Sequence, residues 1–185
     1  MRYQLAQVNI GRPLAPLDSE KLAGFVAALE PVNALADAAP GFVWRLTSDT
    51  ADDATALRLF GSDGLADVMV NMSVWEDLDS LAAFVFRSGH IDVMRQRRSW
   101  FEAMTEAFAA LWWVPQGALP TLDDAEARLR RLRELGPTPF AFTFRQSFPP
   151  PVPVAADGAA VDLADLKAAA IGVQRRADDD WSCPV

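Results

Sequence analysis

The sequence predicts an α+β fold, an antiparallel sheet with helices laid on one face, and three observations carry that expectation. Runs that alternate apolar and polar residues recur near residues 3–10, 68–75 and 108–114, as half-buried strands require. Between them lie longer segments with apolar residues every three or four positions, the signature of amphipathic helices. The two kinds follow one another as β-α-β-β-α-β-α-β, the order of the ferredoxin-like group. With 51% hydrophobic and 23% charged residues in 185, the chain has the composition of an ordinary globular protein and not of a disordered or fibrous one.

Taken in order, the first strand spans Tyr3 to Ile10, with Ala6, Val8 and Ile10 on one face and Tyr3, Leu5, Gln7 and Asn9 on the other. Gly11 and Pro13 end it. A helix is expected from Ser19 to Ala38, capped by Asp18 or Ser19, with Leu22, Phe25, Val26, Leu29 and Ala36 as its apolar stripe. Pro31 should kink that helix, and Pro40-Gly41 stops it. Phe42 to Leu46 reads as a short strand and Ser48 to Asp67 as loop. Val68 to Trp75 is the clearest strand, with Val68, Val70, Met72 and Val74 on one side and Met69, Asn71, Ser73 and Trp75 on the other.

Asp77 or Asp79 can cap the next helix, which breaks at Ser88-Gly89 and resumes through His90 to Met104. Phe108 to Val114 is a further strand. Thr121 to Asp124 form a capping box, opening a helix whose stripe is Leu122, Ala125, Leu129 and Leu132 and whose stop is Gly136-Pro137. Phe140 to Phe144 should close the sheet. The prolines at 149, 150, 151 and 153 suit neither helix nor ladder, so residues 1–145 are expected to form the domain. Residues 146–185 form a Pro/Ala/Asp-rich tail, flexible or docking, in which six Asp against one Lys and two Arg leave three net negative charges.

The formal net charge of −8 supplies no field that draws nucleic acid or anionic lipid, and no apolar run reaches the ~20 residues of a membrane span. A single Cys allows no disulfide within the chain, and Met1-Arg2-Tyr3-Gln4 lacks the order of a secretion signal, so a cytoplasmic protein is expected. One His and one Cys make no zinc set, so no metal site is expected. Cys183 follows Asp178, Asp179 and Asp180, whose charges disfavour a reactive thiolate.

The sheet face carrying Tyr3, Leu5, Trp44, Met69 and Trp75 is too apolar for water, yet Gln7, Asn9, Asn71 and Ser73 lie among these residues. If helices cover only the other face, this one needs a second copy of the sheet or a ligand, and a homodimer is expected. On the helix after Gly89, His90, Met94, Arg97, Phe101 and Met104 share one stripe. An inward His or Arg requires a partner or a ligand, and imidazole, with its ordinary pKa of about 6.5, suits proton transfer near neutral pH. The alternative is that His90 caps the resumed helix or bonds a carbonyl and that Arg97 pairs with a loop carboxylate.

Several segments together closely resemble the bacterial family catalogued as DUF3291: Tyr3 to Gly11, Pro40 to Leu46, Asn71 to Glu76, Arg87 to His90, Arg97 to Phe101, Leu111 to Pro115, and Gly136 to Phe144. That family is similar in turn to the dimeric α+β barrel superfamily, which includes antibiotic-biosynthesis and haem-degrading monooxygenases. The resemblance implies a pocket served by His90, with Asn9 and Trp75 as companions. It also disfavours haem, because Phe84 and Met94 stand where the haem degraders carry a Trp and a His. The resulting expectation is a small-molecule enzyme without cofactor, a monooxygenase or an isomerase or cyclase acting on an aromatic or polyketide-like substrate. In it His90 and Arg97 are catalytic, and Asn9, Asn71, Trp75 and Phe101 bind the substrate. The alternatives are a non-catalytic binding or carrier module, and a domain that serves as handle for a recognised acidic tail.

Overall fold

The computed structural model describes residues 2–47, 68–88 and 90–152, of which residues 90–94 are described by backbone alone. The expected loop at 48–67 and Cys183 lie outside the described residues. Strands β1 (Tyr3–Gly11), β2 (Phe42–Arg45), β3 (Met69–Trp75) and β4 (Ala109–Pro115) form one antiparallel sheet in the order β2-β3-β1-β4. Helices α1 (Ala23–Asp37), α2 (Leu78–Arg87), α3 (His90–Trp100) and α4 (Leu122–Leu135) complete an α+β, ferredoxin-like architecture.

The central pairing is set by the period-2 pattern. Leu5 lies opposite Trp75 and Trp113, Gln7 opposite Ser73 and Leu111, and Asn9 opposite Asn71 and Ala109. A slip of one residue would turn every one of these side chains through the sheet, so burial fixes the register. Ala6, Val8, Ile10, Val70, Met72, Val74, Ala110 and Trp112 form the opposite face and are almost fully buried. On them sits α4, through Ala125, Leu129 and Leu132. It starts where expected: the Thr121 hydroxyl accepts from the Asp124 N–H, and the Asp124 carboxylate accepts from the Thr121 N–H, closing the capping box. Arg128 of α4 lies over the Phe140 ring, 3.6 Å from its centroid, and donates to the Phe140 carbonyl. Burial pushes its guanidinium pKa down, and the nearby Asp124 opposes that shift.

The mixed face is covered differently from the expectation. Its Leu5, Trp75 and Leu111 end is packed by Ala36 of α1, by Leu81 and Phe84 of α2, and by Phe142, Phe144 and Phe148. The helical layer formed by α1 and α2 therefore lies on the face assigned to a second copy, and α4 takes the other. The reason lies in the apolar end of the mixed face, which the chain's own helices and aromatic residues bury without a partner. The last strand is also not formed. Phe142 exchanges two main-chain bonds with Leu111, of 2.8 and 2.9 Å, but tight turns at Thr138–Ala141 and Thr143–Gln146 leave only that residue in register. Packing continues past Arg145, since the Trp113 indole N–H donates to the Phe148 carbonyl at 2.7 Å.

α1 follows a short 3-10 turn at Glu20–Leu22, and Ser19 precedes that turn without a side-chain cap bond. Pro31 stands within α1, which continues on both sides of it as one helix although Pro31 has no N–H to donate. Asp77, with its carboxylate accepting from the Ser80 N–H at 2.8 Å, is the cap of α2. Gly41, between α1 and β2, lies against the start of α2. Its φ of +77° is a conformation that side chains disfavour, and a Cβ there would stand 2.3 Å from the Ser80 Oγ.

Candidate functional site

On the mixed face, beyond the buried aromatic end, β1 and β3 present polar residues at alternate positions on adjoining strands. Gln7 and Ser73 lie directly opposite each other, as do Asn9 and Asn71. Their side chains form a connected ladder. The Gln7 Nε2 donates to Ser73 Oγ at 3.0 Å and to Asn71 Oδ1 at 2.9 Å, and the Asn9 Nδ2 reaches the Gln7 Oε1 at 3.4 Å. At the inner end the Trp75 Nε1 donates to the same Ser73 Oγ at 2.8 Å. Ser73 is 6% exposed and is the buried polar residue of this face, while Asn9 and Asn71 are open to solvent. The ladder thus runs from a buried indole to an open pair of amides. Such a floor can orient a ligand by hydrogen bonds at the open end without leaving a buried polar group unpaired.

Aromatic groups bound both ends. At one, Trp75 is 1% exposed, stacked on Phe84 at 5.1 Å and met edge-on by Phe42 at 5.3 Å. Expected as a stacking platform, Trp75 is enclosed by these rings and forms the end wall. At the other end, Phe101 follows α3 and packs edge-on to Phe25 at 4.9 Å. Its ring lies against the β1 terminus so closely that a Cβ on Gly11 would stand 2.8 Å from the ring. Trp100 packs near Phe25 and Gly24, tying α1 to α3.

Arg97 is half-buried at this second end. One guanidinium nitrogen donates to the Ile10 carbonyl at 3.1 Å, and the group lies 4.3 Å from the Phe108 ring centroid and 5.8 Å from that of Phe101. A guanidinium so placed gains a charge-assisted bond and two ring faces, and it fixes α3 to the end of β1. His90 is the first residue of α3, and its side chain lies outside the described residues. The structure thus joins Asn9, Asn71 and Trp75 through one ladder and joins Phe101 to Arg97 at the far end of β1.

Gln7 and Ser73 hold the ladder together, and neither was among the expected binding residues. Their signal was present in the sequence, as polar residues at every second position of two strands on one shared face. Elsewhere, a groove of about 670 Å3 runs between α4 and the turn at Thr138–Phe140, lined by Ala127, Arg131, Leu135 and Phe140 among others. It opens broadly to solvent, and its charged groups pair with one another, Arg130 with Glu126 and Arg131 with Glu134. Among the described residues no three His, Cys, Asp or Glu side chains come together as a metal set, and no helix is long and apolar enough to cross a membrane.

The family model described as "Domain of unknown function (DUF3291)" matches residues 4–157. No curated protein matches the chain. Among solved structures, SnoaB, a cofactor-independent oxygenase from Streptomyces nogalater, aligns at 19% identity and a TM-score of 0.41, over 64% of this chain and 98% of that one.

Proposed function

We propose that this chain, which belongs to the DUF3291 family, is a small-molecule enzyme that uses the amide ladder as the floor of its substrate site. The carrying observation is that ladder, buried at Ser73, open at Asn9 and Asn71, and bounded by aromatic walls. The walls favour a flat, largely apolar molecule, and the amides favour one with oxygen substituents. An aromatic or polyketide-like substrate combines both properties.

In this reading Asn9 and Asn71 orient the substrate, Trp75 and Phe101 shape the two ends, His90 serves as base and Arg97 stabilises developing negative charge on oxygen. For a cofactor-independent oxygenase the base removes a proton from a carbon acidified by a neighbouring aromatic carbonyl. The resulting enolate donates its electrons to dioxygen. A CH2 group and O2 then become a carbonyl and water, one oxygen atom going to each. Isomerisation or cyclisation of the same enolate is the variant without oxygen. The protein is further proposed to be a cytoplasmic homodimer, with residues 1–145 as the working domain and 146–185 as an appendage.

The second reading, a binding or carrier module, is favoured by the engagement of Arg97 with Ile10, Phe101 and Phe108, which gives that residue a structural role. Incubating the full chain with hydroxylated anthrones and naphthols under oxygen separates the two. The enzyme reading requires product and oxygen consumption that fall at least about a hundredfold in His90→Ala, the low end for a general base. Equal turnover by both proteins removes His90 from the chemistry, and binding without turnover by either establishes the carrier. Native mass tests the dimer.

A further inference from the structure

The amide ladder has a direction. We infer that Gln7 sets it, and that it makes the open end present a donor at Asn71 beside an acceptor at Asn9, a pair matched by a ligand that carries an accepting oxygen next to a donating hydroxyl. This rests on the reading of the ladder as a ligand floor and adds to it the residue that determines which half of each amide faces outward.

The ladder begins at the buried end. An indole N–H can only donate, so Ser73 Oγ must accept from Trp75 Nε1. Gln7 turns its Nε2 toward the same oxygen and spends its two amide hydrogens there, one on Ser73 Oγ and one on Asn71 Oδ1. The Asn71 carbonyl is thereby occupied, and its NH2 group is the half left toward the opening. Asn9 is fixed in the complementary sense. Its Nδ2 donates to the Gln7 Oε1, which leaves its own carbonyl oxygen outward. Reversing Gln7 alone would reverse both the Asn71 and the Asn9 amides, because Ser73 and Asn71 would then have to donate to an oxygen in place of the NH2, and Asn9 would meet the NH2 and have to accept. The Trp75 bond would survive unchanged. Gln7 is thus a specificity-determining position that acts through Asn71.

Gln7→Glu tests this, since a carboxylate of the same shape accepts and cannot donate. It obliges Ser73 and Asn71 to donate inward and turns the Asn71 carbonyl outward. The first readout needs no ligand. By NMR, the Asn71 side-chain amide, identified by its loss in Asn71→Asp, should exchange with water about five to ten times more slowly in Gln7→Glu than in wild type, as a newly formed hydrogen bond predicts. The second uses two planar tricycles of similar shape, 9-fluorenone, which only accepts, and carbazole, which donates through its N–H. Wild type, with one donor and one acceptor outward, should bind the two about equally, and Gln7→Glu, with both amide carbonyls outward, should prefer carbazole by roughly tenfold, the worth of one well-placed bond.

Asn71→Asp reaches the same reversal by a second route, replacing the outward NH2 with oxygen while keeping the bond from Gln7. Unchanged Asn71 exchange in Gln7→Glu overturns the ladder's direction. A ratio of fluorenone to carbazole affinity that neither substitution changes overturns the selectivity. Wild-type protein that binds neither tricycle refutes the ligand-floor reading itself, and the exchange measurement then judges the direction alone.

Discussion

Replacing Ser73 by Ala removes one oxygen atom and leaves two donors without their acceptor. The Trp75 indole N–H, which bonds that oxygen at 2.8 Å, belongs to a side chain that is 1% exposed, so no solvent replaces the lost partner. A buried donor left unpaired costs about 1–3 kcal/mol. The Gln7 amide, half-buried and still bonded to Asn71 at 2.9 Å, loses less, about 0.5 kcal/mol. Together the loss should be about 1.5–3.5 kcal/mol, which for a domain of this size lowers the midpoint of thermal unfolding by roughly 3–14 °C. Denaturant unfolding of wild type, Ser73→Ala, Trp75→Phe and the double variant closes a cycle. Phe has no N–H to orphan, so the two substitutions should couple by about 1–2 kcal/mol. A Ser73→Ala loss below about 0.5 kcal/mol, or additive effects in the cycle, would mean that the indole N–H does not depend on this hydroxyl.

Gly41→Ala should cost roughly 2–3 kcal/mol in equilibrium unfolding, about 1 or more from its φ of +77° and about 1 from loosening the Asp77 cap, because the new Cβ meets Ser80. Adding Ser80→Gly should recover the second part, and an undiminished loss would place the strain elsewhere. Thr121→Ala breaks the capping box of α4 and should lower stability by about 1 kcal/mol, read from the urea midpoint at unchanged slope. Arg97→Met keeps the apolar stem beside Phe101 and Phe108 but deletes the bond to the Ile10 carbonyl, and should cost about 1–2 kcal/mol by the same measurement. A neutral result would mean that the guanidinium is not what holds α3 to β1.

What could be read from the sequence, and what could not, follows the range of the interactions involved. The faces of β1 and β3 were legible because alternation is a local property: Ala6, Val8 and Ile10 share one side whatever lies above them. The Asp77 cap and the Thr121 capping box were legible for the same reason, each being settled within four residues. The choice of face for each helix was not. An amphipathic stripe such as Ala125, Leu129 and Leu132 requires a partner but does not name one, and the partner here is the Val8 face. The mixed face therefore fell to α1 and α2, whose contacts reach across the chain to Trp75 and Phe142.

The same distinction divides the candidate site. Asn9, Asn71 and Trp75 came forward through a family resemblance and through the composition of one sheet face, but their common support did not, since it depends on a strand register. Gln7 and Ser73 are 66 positions apart and meet because β1 pairs with β3 in this register and no other. Shifted by one residue, Gln7 would enter the core that Ala6 and Val8 occupy, where its amide would find no partner. The cost of that error is itself part of what selects the register. The hydrogen bonds that give the site its polarity and the burial that gives the sheet its alignment are therefore one constraint, and a substitution that weakens the ladder is expected to loosen the pairing of β1 with β3 as well.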